Sequence, residues 1–369
     1  MLRVAVVGVN GIGLAHLFAL RTIEDATLAA VCDVDDARAA TAAHDFDVPS
    51  FTSASALFAS GEADAVVLAT PPGTHAELAR GALGAGLHVY CEKPIAPTCD
   101  EGYALGALAR EADRVFQVGF QFRYHAGYAA LRDAAARIGA VRRVDVIATN
   151  WFRAQQYFRA SPWRATWRMA GGGVLMNQAV HQLDALIATV GLPARVRADV
   201  RRGRHDAEVE DDAFAELEWA NGARGRLVAS LTEPAGGERI ELVGDRGAVR
   251  LVDGYDVRIA THEPIGALIA DSPDEFPAED ALAWEVCEVP RARSEAFDMM
   301  LAAHREFALA IAERRAPLVN ADAGTKSVEL ANAIYLSALT DDGVALPLAP
   351  GAYPPAFEAL ASGRSILRL

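Results

Sequence analysis

The sequence predicts an α/β protein with a doubly wound parallel sheet at its N-terminus and a second α/β domain with a mainly antiparallel sheet. In the first third, short apolar runs alternate with helix-like segments, the pattern of a parallel sheet covered by helices on both faces. After Gly119, charged and β-branched residues alternate, and turn signals such as Asn221-Gly222 separate the runs. That second pattern is typical of antiparallel strands with one solvated face.

Individual elements follow from the same patterns. The predicted N-terminal strands cover residues 4–7, 28–32, 65–69, 87–91 and 115–119. The predicted C-terminal strands cover residues 141–147, 214–219, 226–231, 239–243 and 248–252. Helices are predicted at 294–315, with Ser294 as its N-cap, and at 322–339. The length of 369 residues suits two domains, which we place at 1–122 and 123–369.

Composition limits the function classes. The net charge is −14 without a concentrated basic stripe, so nucleic acid is not an expected partner. The four cysteines (Cys32, Cys91, Cys99 and Cys287) form no CxxC pair or zinc spacing, so no metal is expected and the thiols are expected to be reduced. The sequence shows no leader and no apolar stretch long enough for a bilayer, which predicts a cytoplasmic protein without a membrane partner.

The first strand runs into Gly8-Val9-Asn10-Gly11-Ile12-Gly13 and then a helix-like segment. A dinucleotide fingerprint has the form G-x-G-x-x-G and holds a pyrophosphate on the helix N-terminus, and here Asn10 takes the second glycine position. Asp33 ends the second strand, where a carboxylate bonds ribose hydroxyls and repels a 2′-phosphate. The expected cofactor is therefore NAD, with NADP less favoured. Alternatively Asp33 is a loop residue, and Arg38 could pair with a phosphate or stack on adenine.

Two further strand ends carry candidate residues. The fourth apolar strand ends in Thr70-Pro71-Pro72, and His75 follows as either a cofactor contact or a packed structural residue. Glu92-Lys93-Pro94 ends the next apolar run, where open α/β sheets bind ligands. The proline restricts the lysine backbone and makes a cis bond possible. The alternative for Lys93 is a solvated lysine at a strand edge.

With these motifs in this order, the chain resembles the glucose–fructose oxidoreductase/inositol dehydrogenase (Gfo/Idh/MocA) family. The resemblance continues through Val118–Tyr124, Gly171–Asp184 and Val209-Glu210-Asp211-Asp212, and covers nearly the whole chain. It implies a Rossmann domain, followed by an α/β domain with a large open sheet that often forms homodimers or homotetramers. It also implies NAD(P)-dependent oxidation or reduction of sugars or cyclitols, with Glu92, Lys93 and Gln121 beside the cofactor.

The resemblance also assigns catalytic roles. Lys93 would hydrogen-bond the reacting hydroxyl, and His181 would take its proton as hydride leaves the carbon. Asn177 stands where the family has an aspartate, and since an amide cannot accept a proton, it could only orient the substrate. The spacing of four predicts that Asn177 and His181 face the same side of one helix, after a glycine run that would allow close approach by the nicotinamide. The alternative is a capping asparagine and a structural histidine.

Aromatic and arginine residues alternate after Asn150, and they suit a carbohydrate pocket because rings cover sugar faces and guanidinium groups bind hydroxyls or an anion. An oligomer interface has the same composition. The candidate substrate residues are Lys93, Arg123, Tyr124, Arg153, Trp163, Arg164, Asn177 and His181.

Three functions remain open from the sequence. The first is an NAD-dependent dehydrogenase acting on a secondary hydroxyl of a sugar, cyclitol or glycoside. The second is a redox-neutral glycosidase that uses transient oxidation and elimination, which the change to Asn177 motivates. The third is a nucleotide-sensing or scaffold protein without catalysis, which Asn10 and Asn177 favour and which Lys93 and His181 argue against.

Overall fold

A computed structural model describes residues 1–272, 283–291, 295–365 and 367. The chain forms two compact units, and the first also takes in two later segments. The first unit comprises Met1–Gln121, Thr166–Gly171 and Arg293–Glu329, and the second comprises Phe122–Ala165, Gly172–Ala292 and Leu330–Leu369. The placement of a domain boundary between residues 122 and 123 stays a prediction.

Strands and helices alternate through most of the chain. Within the described residues the strands are β1 (Leu2–Val7), β2 (Ala26–Cys32), β3 (Ser50–Phe51), β4 (Ala65–Leu68), β5 (His88–Glu92), β6 (Phe116–Gly119), β7 (Val141–Ala148), β8 (Arg195–Arg201), β9 (Asp212–Glu218), β10 (Arg224–Ser230), β11 (Glu238–Gly244), β12 (Gly247–Val252), β13 (Asp256–Thr261), β14 (Glu285–Cys287) and β15 (Val344–Ala345).

The helices are α1 (Ile12–Leu20), α2 (Asp36–Phe46), α3 (Ala54–Ala59), α4 (Pro72–Gly84), α5 (Cys99–Glu111), α6 (Ala126–Ala135), α7 (Gln156–Arg159), α8 (Trp167–Ala170), α9 (Val174–Asn177), α10 (Val180–Val190), α11 (Ile265–Asp271), α12 (Glu295–Ala312), α13 (Ala321–Thr340) and α14 (Pro354–Ala361). Short 3-10 helices cover Gln121–Tyr124 and Pro162–Ala165. The predicted N-cap Ser294 lies outside the described residues. None of the helices among the described residues is both long and apolar enough to cross a membrane.

The first unit contains a six-stranded parallel sheet in the order β3-β2-β1-β4-β5-β6. Its central strands are buried on both faces, since all four residues of β4 and the last four of β1 are buried. Near-continuous apolar runs are what such double burial requires. The order reverses between β2-β1 and β4, so the carboxyl ends of β1 and β4 define the switch point where such sheets bind ligands.

The second unit contains a nine-stranded sheet in the order β14-β13-β12-β11-β7-β10-β9-β8-β15. Only β7 and β10 run parallel, and the other described neighbours pair antiparallel. Burial alternates along β9 and β11, which fits one covered and one solvated face. The predicted fold class, with a parallel and a mainly antiparallel sheet, is therefore confirmed.

Four strands of the second sheet, β8, β13, β14 and β15, were absent from the predicted set. In β8 the apolar positions are Val196, Ala198 and Val200, and four charged side chains separate or flank them. This strand alternates weakly because alanine contributes little apolar area, so its arginines dominate the pattern. The strand β13 follows β12 after a tight turn at Asp253-Gly254, and both residues take positive φ angles there.

Candidate functional site

The glycine turn after β1 is shaped by two close approaches of backbone. A Cβ on Gly8 would lie 2.7 Å from the Ala69 carbonyl oxygen, and one on Gly13 would lie 1.8 Å from the Gly8 oxygen. Gly8 and Gly11 take positive φ angles of 87° and 56°, so the left-handed backbone falls on Gly11 and not on Asn10. The side chain of Asn10 instead folds onto its neighbour, and its Oδ1 accepts a hydrogen bond from the Gly11 N–H at 2.8 Å.

The predicted ribose ligand Asp33 is 8% exposed and lies directly beside this turn. Its Oδ2 accepts a hydrogen bond from Val9 N at 3.1 Å, and its Oδ1 accepts one from Asp35 N at 3.0 Å. Each carboxylate oxygen has two acceptor sites, so these bonds orient the group and leave capacity for hydroxyl donors. Arg38 pairs with Asp35, with Nε 3.3 Å from Oδ2, in a half-exposed position.

At the end of β4, His75 is fully buried and bridges two backbone carbonyls. Its Nδ1 lies 2.9 Å from the Pro94 oxygen, and its Nε2 lies 2.8 Å from the Thr70 oxygen. This geometry supports the structural alternative for His75, because both ring nitrogens already face protein atoms. Pro71 and Pro72 begin helix α4 as N-cap and first residue, so the strand ends sharply there.

Lys93 follows β5 directly, and the backbone around it is fixed by its neighbour Glu92. The Lys93 N–H donates to Glu92 Oε2 at 3.2 Å, and the Gln121 amide donates to Glu92 Oε1 at 2.8 Å. The Lys93-Pro94 bond is cis, as the sequence allowed. Glu92 is 4% exposed, so its carboxylate is part of the interior of the first unit.

A buried histidine pair supports Glu92 and was missed by sequence reasoning. Nε2 of His16 lies 3.1 Å from Glu92 Oε1, and Nδ1 of His16 lies 2.8 Å from Nε2 of His304. Burial holds the pKa of His304 well below its ordinary value, so His304 is neutral. With Glu92 as acceptor, His16 donates through Nε2 and accepts from His304 through Nδ1. Helices α1 and α12, through His16 and His304, therefore position the Glu92 carboxylate of the Glu-Lys-Pro motif.

The residues of the first unit fit a bound dinucleotide. The turn has space for backbone approach only because Gly8 and Gly13 lack side chains. Within the described part of the chain no side chain caps the N-terminus of α1, so its first amides can receive a pyrophosphate. Asp33 stands at the end of β2, the position that bonds the ribose. Among the described residues no group of three His, Cys, Asp or Glu side chains is arranged to hold a metal.

In the second unit, Asn177 and His181 lie on two helices rather than one, which corrects the prediction of a single helix. Asn177 ends α9, and His181 is the second residue of α10. The chain departs from helical geometry at Gln178 (φ −111°, ψ −67°), and the Ala179 N–H reaches back five residues to the Val174 oxygen at 2.8 Å. The His181 ring stacks on Phe122, with centroids 4.2 Å apart.

The glycine run before Asn177 approaches protein atoms of its own unit. A Cβ on Gly172 would lie 2.1 Å from the Tyr335 hydroxyl, and one on Gly173 would lie 1.8 Å from the Glu210 carbonyl oxygen. The fully buried Glu210 carboxylate accepts hydrogen bonds from Gly173 N at 2.7 Å, Leu175 N at 2.9 Å and the Tyr335 hydroxyl at 2.7 Å. We call Glu210 and Tyr335 the glycine socket. The glycine socket alone accounts for glycine at positions 172 and 173, so no contact with a nicotinamide is needed to explain them.

Arg123, a predicted substrate residue, is engaged by a buried carboxylate. Its Nε and terminal nitrogen donate to the two oxygens of Asp184 at 2.5 Å and 2.8 Å, with side chains 13% and 2% exposed. This bidentate pair gives Arg123 a structural role. Tyr124 ends the adjacent 3-10 helix and is half-buried.

The predicted aromatic and arginine residues do come together. We define the arginine–aromatic cluster as Trp151, Arg153, Tyr157, Trp163 and Arg164. The guanidinium carbons of Arg164 and Arg153 lie 4.3 Å and 5.1 Å from the centroid of Tyr157. Trp151 lies 5.5 Å from Arg153, and Trp163 lies 5.4 Å from Arg164. These are cation–π distances.

A parallel sheet with this strand order, a glycine turn after its first strand and an acid at the end of its second defines a dinucleotide-binding domain. Comparison with known families agrees. Residues 2–120 match the oxidoreductase family with an NAD-binding Rossmann fold, and residues 128–250 match the Gfo/Idh/MocA C-terminal domain. The chain belongs to the Gfo/Idh/MocA family of oxidoreductases and carries its NAD-binding Rossmann domain.

Individual relatives act on sugars and cyclitols. The chain is 31% identical to D-xylose 1-dehydrogenase (NADP(+)) 2 of Haloferax volcanii, over 62% of this chain and 69% of that protein. It is 29% identical to inositol 2-dehydrogenase 3 of Saccharopolyspora erythraea, over 75% and 82%. The solved WlbA dehydrogenase from Bordetella pertussis, in complex with NADH and UDP-GlcNAcA, is 27% identical with a TM-score of 0.79, over 94% and 99%.

Proposed function

We propose that the protein is an NAD-dependent dehydrogenase that moves a hydride between a secondary hydroxyl of a sugar, cyclitol or glycoside and the nicotinamide. The observation that carries this proposal is Lys93, which follows β5 directly in the dinucleotide-binding sheet with its backbone fixed by Glu92. The activities named for the xylose and inositol dehydrogenase relatives support the substrate class.

The composition of the chain strengthens the argument for Lys93. Only two of its 35 basic residues are lysines, Lys93 and Lys326, and the others are arginines. The chain uses arginine at almost every basic position, yet it has a lysine at this strand end. An ammonium group is a compact donor that can also lose its proton, whereas a guanidinium cannot, so the position suits proton chemistry.

In this proposal the Lys93 ammonium donates a hydrogen bond to the reacting hydroxyl oxygen and opposes the negative charge that develops there. His181 takes the hydroxyl proton, a role that suits an imidazole because its ordinary pKa is near neutrality. The stacking of His181 on Phe122 fixes the ring plane. Asn177 orients the substrate, and its Nδ2 donates to the Gly172 oxygen at 3.4 Å. When bound, NAD supplies the hydride acceptor.

We further propose that NAD is preferred to NADP. Asp33 has both oxygens fixed by backbone amides at the end of β2, so its negative charge stays where a 2′-phosphate would lie. Arg38, which could have paired with that phosphate, pairs with Asp35 instead. The Haloferax volcanii relative is named for NADP(+), so cofactor choice varies among relatives and needs a direct measurement.

The experiment is a screen of purified protein with NAD against sugars, cyclitols and glycosides, read by NADH absorbance. Free sugar and aglycone are assayed alongside. Net NADH with an oxidised product is the expected result. Release of an aglycone without net NADH would instead establish the redox-neutral glycosidase, and binding of NAD without turnover of any polyol would favour a non-catalytic protein.

We also propose a homodimer or homotetramer formed through the solvated face of the nine-stranded sheet. A depression of about 700 Å³ lies on this face, and its lining includes both charge signs and Phe214, which is 41% exposed. Arg226 lies between Glu216 and Asp145 on neighbouring strands. Alternating charges can complement a second copy of the same face. Light scattering of Phe214→Glu should show a smaller particle than wild type.

A further inference from the structure

Two guanidinium groups of the arginine–aromatic cluster have no acidic partner within the described part of the chain. Neither Arg153 nor Arg164 lies within 4.0 Å of a described carboxylate oxygen. Each donates one hydrogen bond to a carbonyl, Arg153 to Phe152 O at 3.0 Å and Arg164 to Tyr157 O at 3.3 Å. A guanidinium has five donors, so most of the donors on both side chains stay without a described protein acceptor.

The segment that carries the cluster contains no acidic residue of its own, although the backbone of Asp206 and Glu208 hydrogen-bonds to it. The chain carries 49 acidic against 35 basic residues, yet residues 151–168 contain four arginines and no Asp or Glu. Several arginines elsewhere form ion pairs with carboxylates, such as Arg123 with Asp184 and Arg315 with Glu306. Within this segment the half-buried Arg153 and Arg164 pair with no described carboxylate, so their charge is left for another anion.

The cluster is joined to the segment that carries the proposed catalytic residues. The Tyr157 hydroxyl accepts a hydrogen bond from the Gln178 side-chain amide at 2.8 Å. Gln178 follows Asn177 directly and precedes His181 by three residues, and all of them belong to the second unit. A sugar held by the cluster would therefore lie against the same short stretch of chain.

We propose that the substrate is an anionic sugar, whose carboxylate or phosphate group is bound by Arg153 and Arg164 while the aromatic rings contact the sugar. The inference rests on the proposed function and names the substrate class of that site. Guanidinium groups bind both anions through paired N–H donors. The net charge of −14 repels anions in general, so an anionic substrate needs a local group of cations.

The test measures binding separately from turnover. Trp151 and Trp163 lie in the cluster, so tryptophan fluorescence can follow titration with glucose, galactose and mannose, each also as its uronate and its 6-phosphate. The variants are Arg153→Gln and Arg164→Gln. Arg159→Gln is the matched control, because it removes the same charge from an exposed position in the same segment. The uronate and phosphate series distinguish the two anion sources.

We expect the wild type to bind at least one anionic form more tightly than its neutral parent, and added salt to weaken that binding. Arg153→Gln and Arg164→Gln should each raise Kd for the anion by about tenfold or more, the loss of one hydrogen bond to a charged group. The neutral parent and the Arg159→Gln control should change by less than about twofold, within the small effects of a surface site. If Arg164→Gln does not fold, Arg164→Lys and Arg153→Gln provide the same comparison.

Failure of every anionic form to bind, or equal losses for neutral and anionic sugars, would overturn the inference. Unchanged binding with an altered oligomeric state would overturn it in favour of an interface. The fluorescence titration measures binding without catalysis. Anion-selective binding with no NADH formation would therefore contradict the proposed dehydrogenase activity and leave the proposed anion site standing. NADH formation without preference for anions would overturn only this inference.

Discussion

Replacing Glu210 by Gln should remove a pH-dependent component from the stability of the second compact unit. Glu210 is fully buried in the glycine socket and accepts three hydrogen bonds. Burial raises the pKa of Glu210 from 4.5 to about 7, because these bonds only partly offset the lost hydration of the carboxylate. A glutamine keeps the shape of the side chain but stays neutral at every pH.

The sign of this pH dependence follows from the difference in proton binding between the folded and the unfolded chain. The pKa of Glu210 is higher in the folded state than in the unfolded chain, so the folded state binds the proton more tightly. The stabilisation that the folded state gains by binding this proton is fully present below about pH 4.5 and is lost as pH rises through about 7. One pKa unit corresponds to about 1.4 kcal/mol, so this residue should lower the free energy of unfolding by roughly 2–3 kcal/mol between pH 5 and pH 8.

The measurement is urea unfolding of wild type and Glu210→Gln at those two pH values, followed by tryptophan fluorescence. Four of the five tryptophans belong to the second unit, so the signal reports mainly on it. The glutamine N–H facing the Gly173 N–H adds a destabilisation that does not depend on pH, so the comparison uses only the change between the two values. Glu218→Gln, at an exposed position of β9, is the matched control.

We expect the free energy of unfolding of wild type to fall by roughly 2–3 kcal/mol more than that of Glu210→Gln over this range. The Glu218→Gln control should follow wild type. Parallel changes in wild type and Glu210→Gln would refute the reasoning, since Glu210 would then titrate alike in the folded and unfolded chains.

Three shorter predictions follow from other sites. Arg123→Ala should destabilise the protein by about 3–5 kcal/mol, because Asp184 would be left as a buried unpaired charge; normal melting with a raised KM would instead assign Arg123 to substrate binding. Asp33→Asn should weaken NAD binding by about tenfold, the loss of one hydrogen bond to a charged group, and reduce the preference over NADP, as calorimetry can measure; unchanged selectivity would remove Asp33 from the ribose site. A thiol reagent should modify the half-buried Cys287 first, since the other three cysteines are buried; mass spectrometry of the labelled peptides would show any other order.

Local patterns were sufficient for the features that neighbouring residues determine. Apolar runs of four or five residues located five of the six described parallel strands, and the predicted strand at 65–69 differs from β4 by a single residue. The two-residue strand β3 was missed because so short a strand has no pattern of its own. The glycine turn and Asp33 were predictable because the fingerprint depends on residues close in sequence. Lys93 was placed at a strand end for the same reason.

Features that depend on distant partners were not predictable. Glu210 and Tyr335 are 125 positions apart, and His16 and His304 are 288 apart, so no periodicity links them. The glycine run did indicate a close approach, but the sequence could not show that its partner was protein. The helix break at Gln178 was missed because the spacing of Asn177 and His181 is the same in one helix or in two.

The most direct test of the central claim is NADH formation by Lys93→Ala with a substrate found in the screen. The matched control is Lys326→Ala, which removes the other lysine from an exposed position on α13. Binding of NAD is measured on the same samples by calorimetry. We expect Lys93→Ala to bind NAD and form no detectable NADH, while Lys326→Ala behaves as wild type. Turnover by Lys93→Ala within about tenfold of wild type, a loss of only about 1.4 kcal/mol in transition-state stabilisation, would contradict the account.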